Sequence, residues 1–269
     1  MRVLKRLAEE PPFRLITAEI LKRMNCALET RMRWDLSPRP AYLLGVGRAA
    51  LLAQEMSLPA MSVIECGVAR GDGLVILEQE AIRVGREVGI EIHVYGMDRA
   101  KGLPQTSGDY RDHPDYWVPG DFPMDVPKLQ ARLRKAKLIL GEAHETLPQF
   151  MPAAPLGFMA LDVDLWSSSL PCLEWLARVP KLLQTAIYVD DIIEFRAHSQ
   201  AGELLAITQF NEQHRGRFVI EPWRRITDDR PFPERGHLKG MFVCHDLDQI
   251  SAKAIRREAR AHAYGEGTV

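Results

Sequence analysis

The chain has 269 residues, 46% of them hydrophobic and 26% charged, with a formal charge of −1. That balance excludes a disordered chain and lacks the basic excess of a polyanion binder, so nucleic acid is not an expected partner. No stretch of about 18 consecutive apolar residues occurs, and the opening MRVLKRLAEEPP has no signal-peptide apolar core, so no membrane partner and a cytoplasmic location are expected. Four scattered cysteines (Cys26, Cys66, Cys172, Cys244) lack any metal-binding spacing, and Cys66 and Cys244, in apparent strands, read as buried thiols.

Residues 1–58 read as a helical extension. Leu4 and Leu7, then Leu15, Ile16, Ile20, Leu21 and Met24, recur at helical intervals, with breaks at Pro11-Pro12 and at Pro38 and Pro40. The helix expected over 41–56 could cover a pocket as a lid or cap a sheet. A domain then spans 59–249, and 250–269 reads as a charged helix and tail.

The first strand ends in Val63-Ile64-Glu65-Cys66 and runs into Glu65-x-Gly67-x-Ala69-x-Gly71, ahead of a helix from about Leu74. Strand, glycine-rich turn and helix form the ligand-binding start of a doubly wound fold. The spacing is not Gly-x-Gly-x-x-Gly, and an acid entering the turn suits a ligand with positive charge. That favours S-adenosylmethionine over a dinucleotide. A second strand, Ile90 to Asp98, ends in an acid 27 residues after Gly71, placed to accept both hydroxyls of a ribose.

Residues 99–127 hold Pro104, Tyr110, His113, Tyr116, Trp117 and Phe122, too many rings for a linker, and read as a structured loop that either shapes a pocket or pads the surface. A helix over 126–136 leads to a third strand, Lys137–Gly141, and the turn Glu142-Ala143-His144. A fourth strand ends in Asp162-Val163-Asp164. A helix over 169–178 precedes a fifth strand, Ala186–Val189, ending in Asp190-Asp191. A helix over 201–213 and strands at 217–222 and 240–244 complete the chain. This alternation predicts an α/β fold: a doubly wound, mainly parallel sheet with an antiparallel hairpin at one edge.

Acids therefore stand at the carboxyl ends of four strands, where open α/β sheets bind ligands. Asp162 or Asp164 with Asp190-Asp191 could converge on a divalent ion, and oxygen-only ligation points to Mg²⁺. Alternatively, one acid of each pair caps the following helix.

At this point the residues resemble a known family. Val63-Ile64-Glu65-Cys66-Gly67 with Gly71, and then Gly96-Met97-Asp98, resemble the first motifs of class I S-adenosylmethionine-dependent methyltransferases. Glu145-Thr146-Leu147-Pro148, Leu161-Asp162-Val163-Asp164-Leu165-Trp166-Ser167-Ser168 and Tyr188-Val189-Asp190-Asp191 resemble the macrocin-type O-methyltransferases, which act on sugars of macrolide and aminocoumarin products. The resemblance implies a seven-stranded Rossmann-like sheet and a small hydroxylated substrate.

It also implies a Mg²⁺ held by Asp162, Asp190 and Asp191. Asp162 lies 28 residues before Asp190, which also resembles the metal spacing of catechol-type O-methyltransferases. Asp162 and Asp164 become the catalytic candidates, Asp164 as base. Glu65, Gly67, Ala69 and Gly71 would line the methionine end of the cofactor, with Asp162 nearby. Asp98 would take the ribose, and Glu142 and Ala143 would flank adenine. The resemblance leaves room for a homo-oligomer through the N-terminal helices. Leu183-Gln184-Thr185, where the family has Gly-Gly, Trp166, where it has Tyr, and the unmatched loop 99–127 are departures that bear on the acceptor. Three other readings stay open. One is a metal-free methyltransferase using Asp164 or His144 as base. The others are an NAD(P)-dependent oxidoreductase and a non-catalytic binding module.

Overall fold

The structure, a computed structural model, describes residue 10 and residues 13–106, 108–193 and 197–253. The charged tail expected beyond Lys253 and the chain ahead of Glu10 lie outside the described residues. Helices α1 (Phe13–Lys22), α2 (Leu28–Arg33) and α3 (Pro40–Glu55) come first. Pro40 suits the start of α3, where a backbone N–H has no helical partner to lose. Apolar and small residues surround this helix, and Tyr42, Leu43, Val46 and Ala50 are fully buried. It packs along β4, β5 and α4, and Gly45 lets it approach so closely that a Cβ there would overlap the Phe158 ring. It therefore covers a face of the sheet at its central strands rather than capping an edge, and Arg39, just ahead of it, lines a cleft.

The α/β body then runs β1 (Ala60–Cys66), α4 (Asp72–Val88), β2 (Glu91–Asp98), α5 (Val126–Gln130), β3 (Lys137–Leu140), α6 (Ala143–Thr146), β4 (Leu156–Leu161), α7 (Trp166–Arg178), β5 (Lys181–Val189), α8 (Gly202–Gln213), β6 (Phe218–Pro222) and β7 (Met241–Asp246). The seven strands form one sheet in the order β3-β2-β1-β4-β5-β7-β6. Strands β1 to β5 pair in parallel, and β7 is antiparallel to both β5 and β6. This is the mainly parallel sheet with an antiparallel edge hairpin that the sequence predicts.

Period-two alternation sorts the strands onto two cores. Met61, Val63, Phe158 and Ala160 face α3 and α4, whereas Ile64, Met159, Leu161 and Ile187 face α7 and α8. The chain moves outward from β1 to β3 and then returns beside β1 as β4. A crevice therefore opens at the carboxyl ends of β1 and β4, at the point of reversal.

Three elements differ from expectation. The helix expected over 126–136 ends at Gln130. The backbone N–H groups of Arg134, Lys135 and Ala136 instead donate to the buried Glu78 carboxylate of α4, at 2.5–3.0 Å. Helix α7 starts three residues early, so Ser167 and Ser168 lie in its first turn. Strand β5 starts at Lys181, its first residues paired through an irregular register with Leu156. Among the described residues no helix is long and apolar enough to cross a membrane.

Candidate active site

The loop after β1 is shaped by three left-handed residues, Gly67 (φ 85°), Ala69 (φ 48°) and Gly71 (φ 85°). A side chain at Gly67 would overlap the carbonyl oxygen of Asp162, so the β1 and β4 loops close on each other only because Gly67 has none. Asp98 fixes the same loop from β2. Its Oδ2 accepts the N–H groups of Val68 (2.8 Å) and Ala69 (2.9 Å), and its Oδ1 accepts that of Ala100 (2.5 Å). A carboxylate has about four acceptor positions, so room remains for about one further hydroxyl.

The resulting cleft has a volume of about 480 Å³. Eleven of the site residues expected from sequence line it: Glu65, Gly67, Ala69, Gly71, Asp98, Glu142, Ala143, Asp162, Asp164, Asp190 and Asp191. Arg99 and Glu142 form an ion pair at 2.8 Å beyond Asp98. The structured loop after β2 forms the outer wall. Hydrogen bonds from Leu103 N to Asp121 O and from Gly120 N to Leu103 O (both 2.8 Å) fold it back on itself, which brings Trp117 and Phe122 to the cleft. His144, expected as a pocket wall or base, is exposed beside Glu145 and does not line the cleft.

So many carboxylates in one place raise one another's proton affinity. Burial, opposed by the hydrogen bond from Tyr42 and reinforced by Asp162, pushes Glu65 up to about 8. Burial and repulsion from Asp190 and Asp191 push Asp162 up to about 7, against the pull of Arg39. Burial and Asp191, by charge and by a hydrogen bond, push Asp164 up to about 9. Asp164 also holds a left-handed backbone (φ 61°), a conformation that costs free energy in a non-glycine residue and clusters at functional sites. Asp190 Oδ1 accepts the Tyr188 hydroxyl at 2.6 Å.

Three cleft contacts were not evident in the sequence. Arg39, at the start of α3, lies 3.8 Å from Asp162. Tyr42 donates to Glu65. Glu203, buried on α8, accepts Val163 N (3.4 Å) and Asp191 N (3.3 Å), and so ties the acidic loop after β4 to the one after β5. Burial, with repulsion from Asp191, raises its proton affinity well above the usual carboxylate range. A second cavity of about 30 Å³, room for about two water molecules, adjoins the cleft. Asp164, Asp191 and Trp117 line both, and His113 and His198 close its far side.

Asp162, Asp190 and Asp191 were expected to converge on an ion. They share the cleft, but among the described residues no three Asp, Glu, His or Cys side chains form a ready-made ligand set. Their oxygen-only chemistry still suits a hard divalent cation.

No family model matches the chain, and no curated protein matches it. Among solved structures, it is similar to CalS11, a calicheamicin methyltransferase, at 16% identity over 88% of this chain and 93% of that one, with a TM-score of 0.48. An apo structure of CalS11, described as a TDP-rhamnose 3′-O-methyltransferase, has a TM-score of 0.44 at 16% identity, covering 88% and 95% of the two chains. A structure of cmcI with Mg-SAM has a TM-score of 0.40 at 15% identity, covering 74% and 70%. At such identities these are likenesses of fold alone.

Proposed function

We propose that this chain is an S-adenosylmethionine-dependent O-methyltransferase acting on a hydroxyl of a small molecule. The observation that supports it is the charge at the point where the sheet reverses. Glu65, Asp162, Asp164 and Asp190 face a glycine-rich loop that a ligand can approach closely. A pyrophosphate would oppose ionisation of these acids and be repelled by those that are ionised, which disfavours the oxidoreductase reading. A ligand carrying ammonium and sulfonium would be attracted.

S-adenosylmethionine supplies an electrophilic methyl group. Residues of the chain would orient the acceptor oxygen in line with it and take the hydroxyl proton as the new O–C bond forms and the S–C bond breaks. Asp164 is placed for that proton, since it faces both the cleft and the smaller cavity. Its raised proton affinity suits a base that operates near neutral pH once a cation beside it favours ionisation. Trp117 and Phe122 would exclude water on the open side. A Mg²⁺, if bound, would be held by Asp162, Asp190 and Asp191 and would favour the ionised hydroxyl. The metal-free reading rests on Arg39, a cation already facing Asp162. The cytoplasmic location and a small hydroxylated partner rest on the sequence alone.

Calorimetric titration with S-adenosylmethionine and its demethylated product, with and without Mg²⁺, tests the reading. Binding of both supports it, and binding of neither sinks it. A heat of Mg²⁺ binding lost in Asp190→Asn supports the metal role, whereas methyl transfer that persists in a chelator selects the metal-free reading.

A further inference from the structure

Away from the cleft, a groove of about 870 Å³ runs beside α4. Its walls come from three segments: the connection between α1 and α2 at Asn25, the part of α4 bearing Arg83 and Arg86, and the turn after α5 bearing Arg132 and Arg134. Four arginines and no lysine line it. The formal charge of −1 is a sum over the chain and conceals this local excess.

The carboxylates of the groove are already engaged. Glu78 is buried and accepts the N–H groups of Arg134, Lys135 and Ala136. Glu87 accepts Arg31 Nη2 at 3.0 Å and the N–H of Leu28. Arg132 pairs with Asp72 at 2.5 Å and donates to the Arg70 carbonyl at 3.2 Å. That leaves Arg83, Arg86 and Arg134. All three are exposed, and none forms an ion pair among the described residues. Arg83 donates only to a neutral partner, Asn25 Oδ1, at 3.4 Å. Arg83 and Arg86 stand one turn apart on α4, where like charges repel and cost the helix stability until an anion answers them. By holding the amides of 134–136 against α4, Glu78 also fixes the backbone that carries Arg134, so this wall of the groove is organised in advance of any ligand.

We propose that the groove binds the phosphate chain of a small polyanionic ligand through Arg83, Arg86 and Arg134. Planar guanidinium forks engage phosphate oxygens in pairs, which the point charge of a lysine does not. One chain of linked phosphates answers several neighbouring cations at once, whereas a lone carboxylate answers one. The volume also lies within the range of about 300–1,000 Å³ usual for small-molecule sites. Arg132 marks the boundary with the cleft, since its partners Arg70 and Asp72 line the cleft and hold it there. The site is thus separate from the acidic cleft and does not depend on the methyl-transfer reading.

The test is calorimetry at about 150 mM salt, where weak surface attraction is largely screened. The probes are tripolyphosphate, adenosine triphosphate and citrate. The proteins are wild type, Arg83→Gln, Arg86→Gln, Arg134→Gln and, as a control outside the groove, Arg178→Gln at the exposed end of α7. Surface substitutions of this kind leave the chain folded, and an unchanged melting temperature verifies it for each variant. Wild type should bind tripolyphosphate at one site. Each groove variant should weaken it about tenfold, the loss of one charge-assisted contact, and Arg178→Gln should not. Tighter binding of adenosine triphosphate identifies a nucleotide as the source of the phosphates, and equal or weaker binding identifies a free polyphosphate; the site stands in both cases. No binding of either phosphate probe overturns it, as does equal weakening by all four variants. Displacement of the probes by S-adenosylhomocysteine would place them in the cleft and overturn the groove. Citrate binding as tight as that of tripolyphosphate overturns the assignment to phosphate.

Discussion

Glu65 holds its proton far more tightly than an exposed glutamate because burial removes the water that would stabilise its charge. The consequence for stability has a definite sign. Its value in the unfolded chain is near 4.5 and in the folded chain about 8. The folded state therefore binds more protons between those values, and its stability is fully present below 4.5 and lost as pH rises toward 8. Asp162 and Asp164, raised to about 7 and 9, act in the same direction. Ligand-free protein should be more stable to urea at pH 5 than at pH 8, with each such group contributing a slope of up to about 1.4 kcal/mol per pH unit. Glu65→Gln should remove its share, and an unchanged pH profile would count against the burial account. The same proton opposes a cationic ligand, so S-adenosylmethionine, with its ammonium and sulfonium, should bind more tightly as pH rises to about 8, then level off. Asp190→Asn should abolish methyl transfer and largely spare this binding, since the expected role of Asp190 lies with the acceptor and metal. Unimpaired transfer would remove Asp190 from the mechanism.

At the scale of elements, two contacts decide how the loops sit. The β1 loop closes onto the β4 loop at a position where only glycine fits, with positive φ and a carbonyl oxygen in the place of a Cβ. Gly67→Ala should cost about 1–3 kcal/mol from backbone strain alone, read by denaturant titration, and should abolish S-adenosylhomocysteine binding because the loop must move. The helix expected over 126–136 stops at Gln130. It ends early because Glu78, from a helix more than fifty residues away, takes three successive amides that a longer helix would have bonded internally. Glu78→Ala should cost about 1–3 kcal/mol through these buried donors, and its signature is increased hydrogen exchange at residues 134–136.

At the scale of the whole molecule, the N-terminal helices are tied to the far end of the chain. Asp35, buried after α2, pairs with Arg230 and Arg235 and faces His237, all in the connection between β6 and β7. Trp34 meets Phe232 edge-on in the same place. A second buried pair, Arg31 with Glu80 at 3.1 Å, fastens α2 to α4. Removing one partner of a buried pair leaves a desolvated charge, so Asp35→Ala should destabilise the chain by about 3–5 kcal/mol. A change below about 0.5 kcal/mol, the range of ordinary surface substitutions, would show that the pairs do not hold the two ends together. These ties keep α3, and with it Arg39 and Tyr42, against the cleft.

What was legible in the sequence was whatever depends on near neighbours. Alternation of apolar residues marked the strands, glycines at 67 and 71 marked the ligand loop, and acids at the strand ends marked the cleft, because each pattern is written within a few residues of itself. The mainly parallel pairing and the antiparallel edge hairpin followed from the alternation of strands and helices, whereas the strand order was read from the structure. The roles of Arg39, Tyr42, Glu78 and Glu203 were not legible, since each acts on a partner brought beside it only by packing: Tyr42 on Glu65, Glu203 on the loops at 163 and 191. The same holds for the carboxylates as a set. Their presence at the strand ends was determined by sequence, whereas their mutual distances and proton affinities were decided by the tertiary structure. Burial and charge repulsion act through space, and the sequence alone does not specify that space.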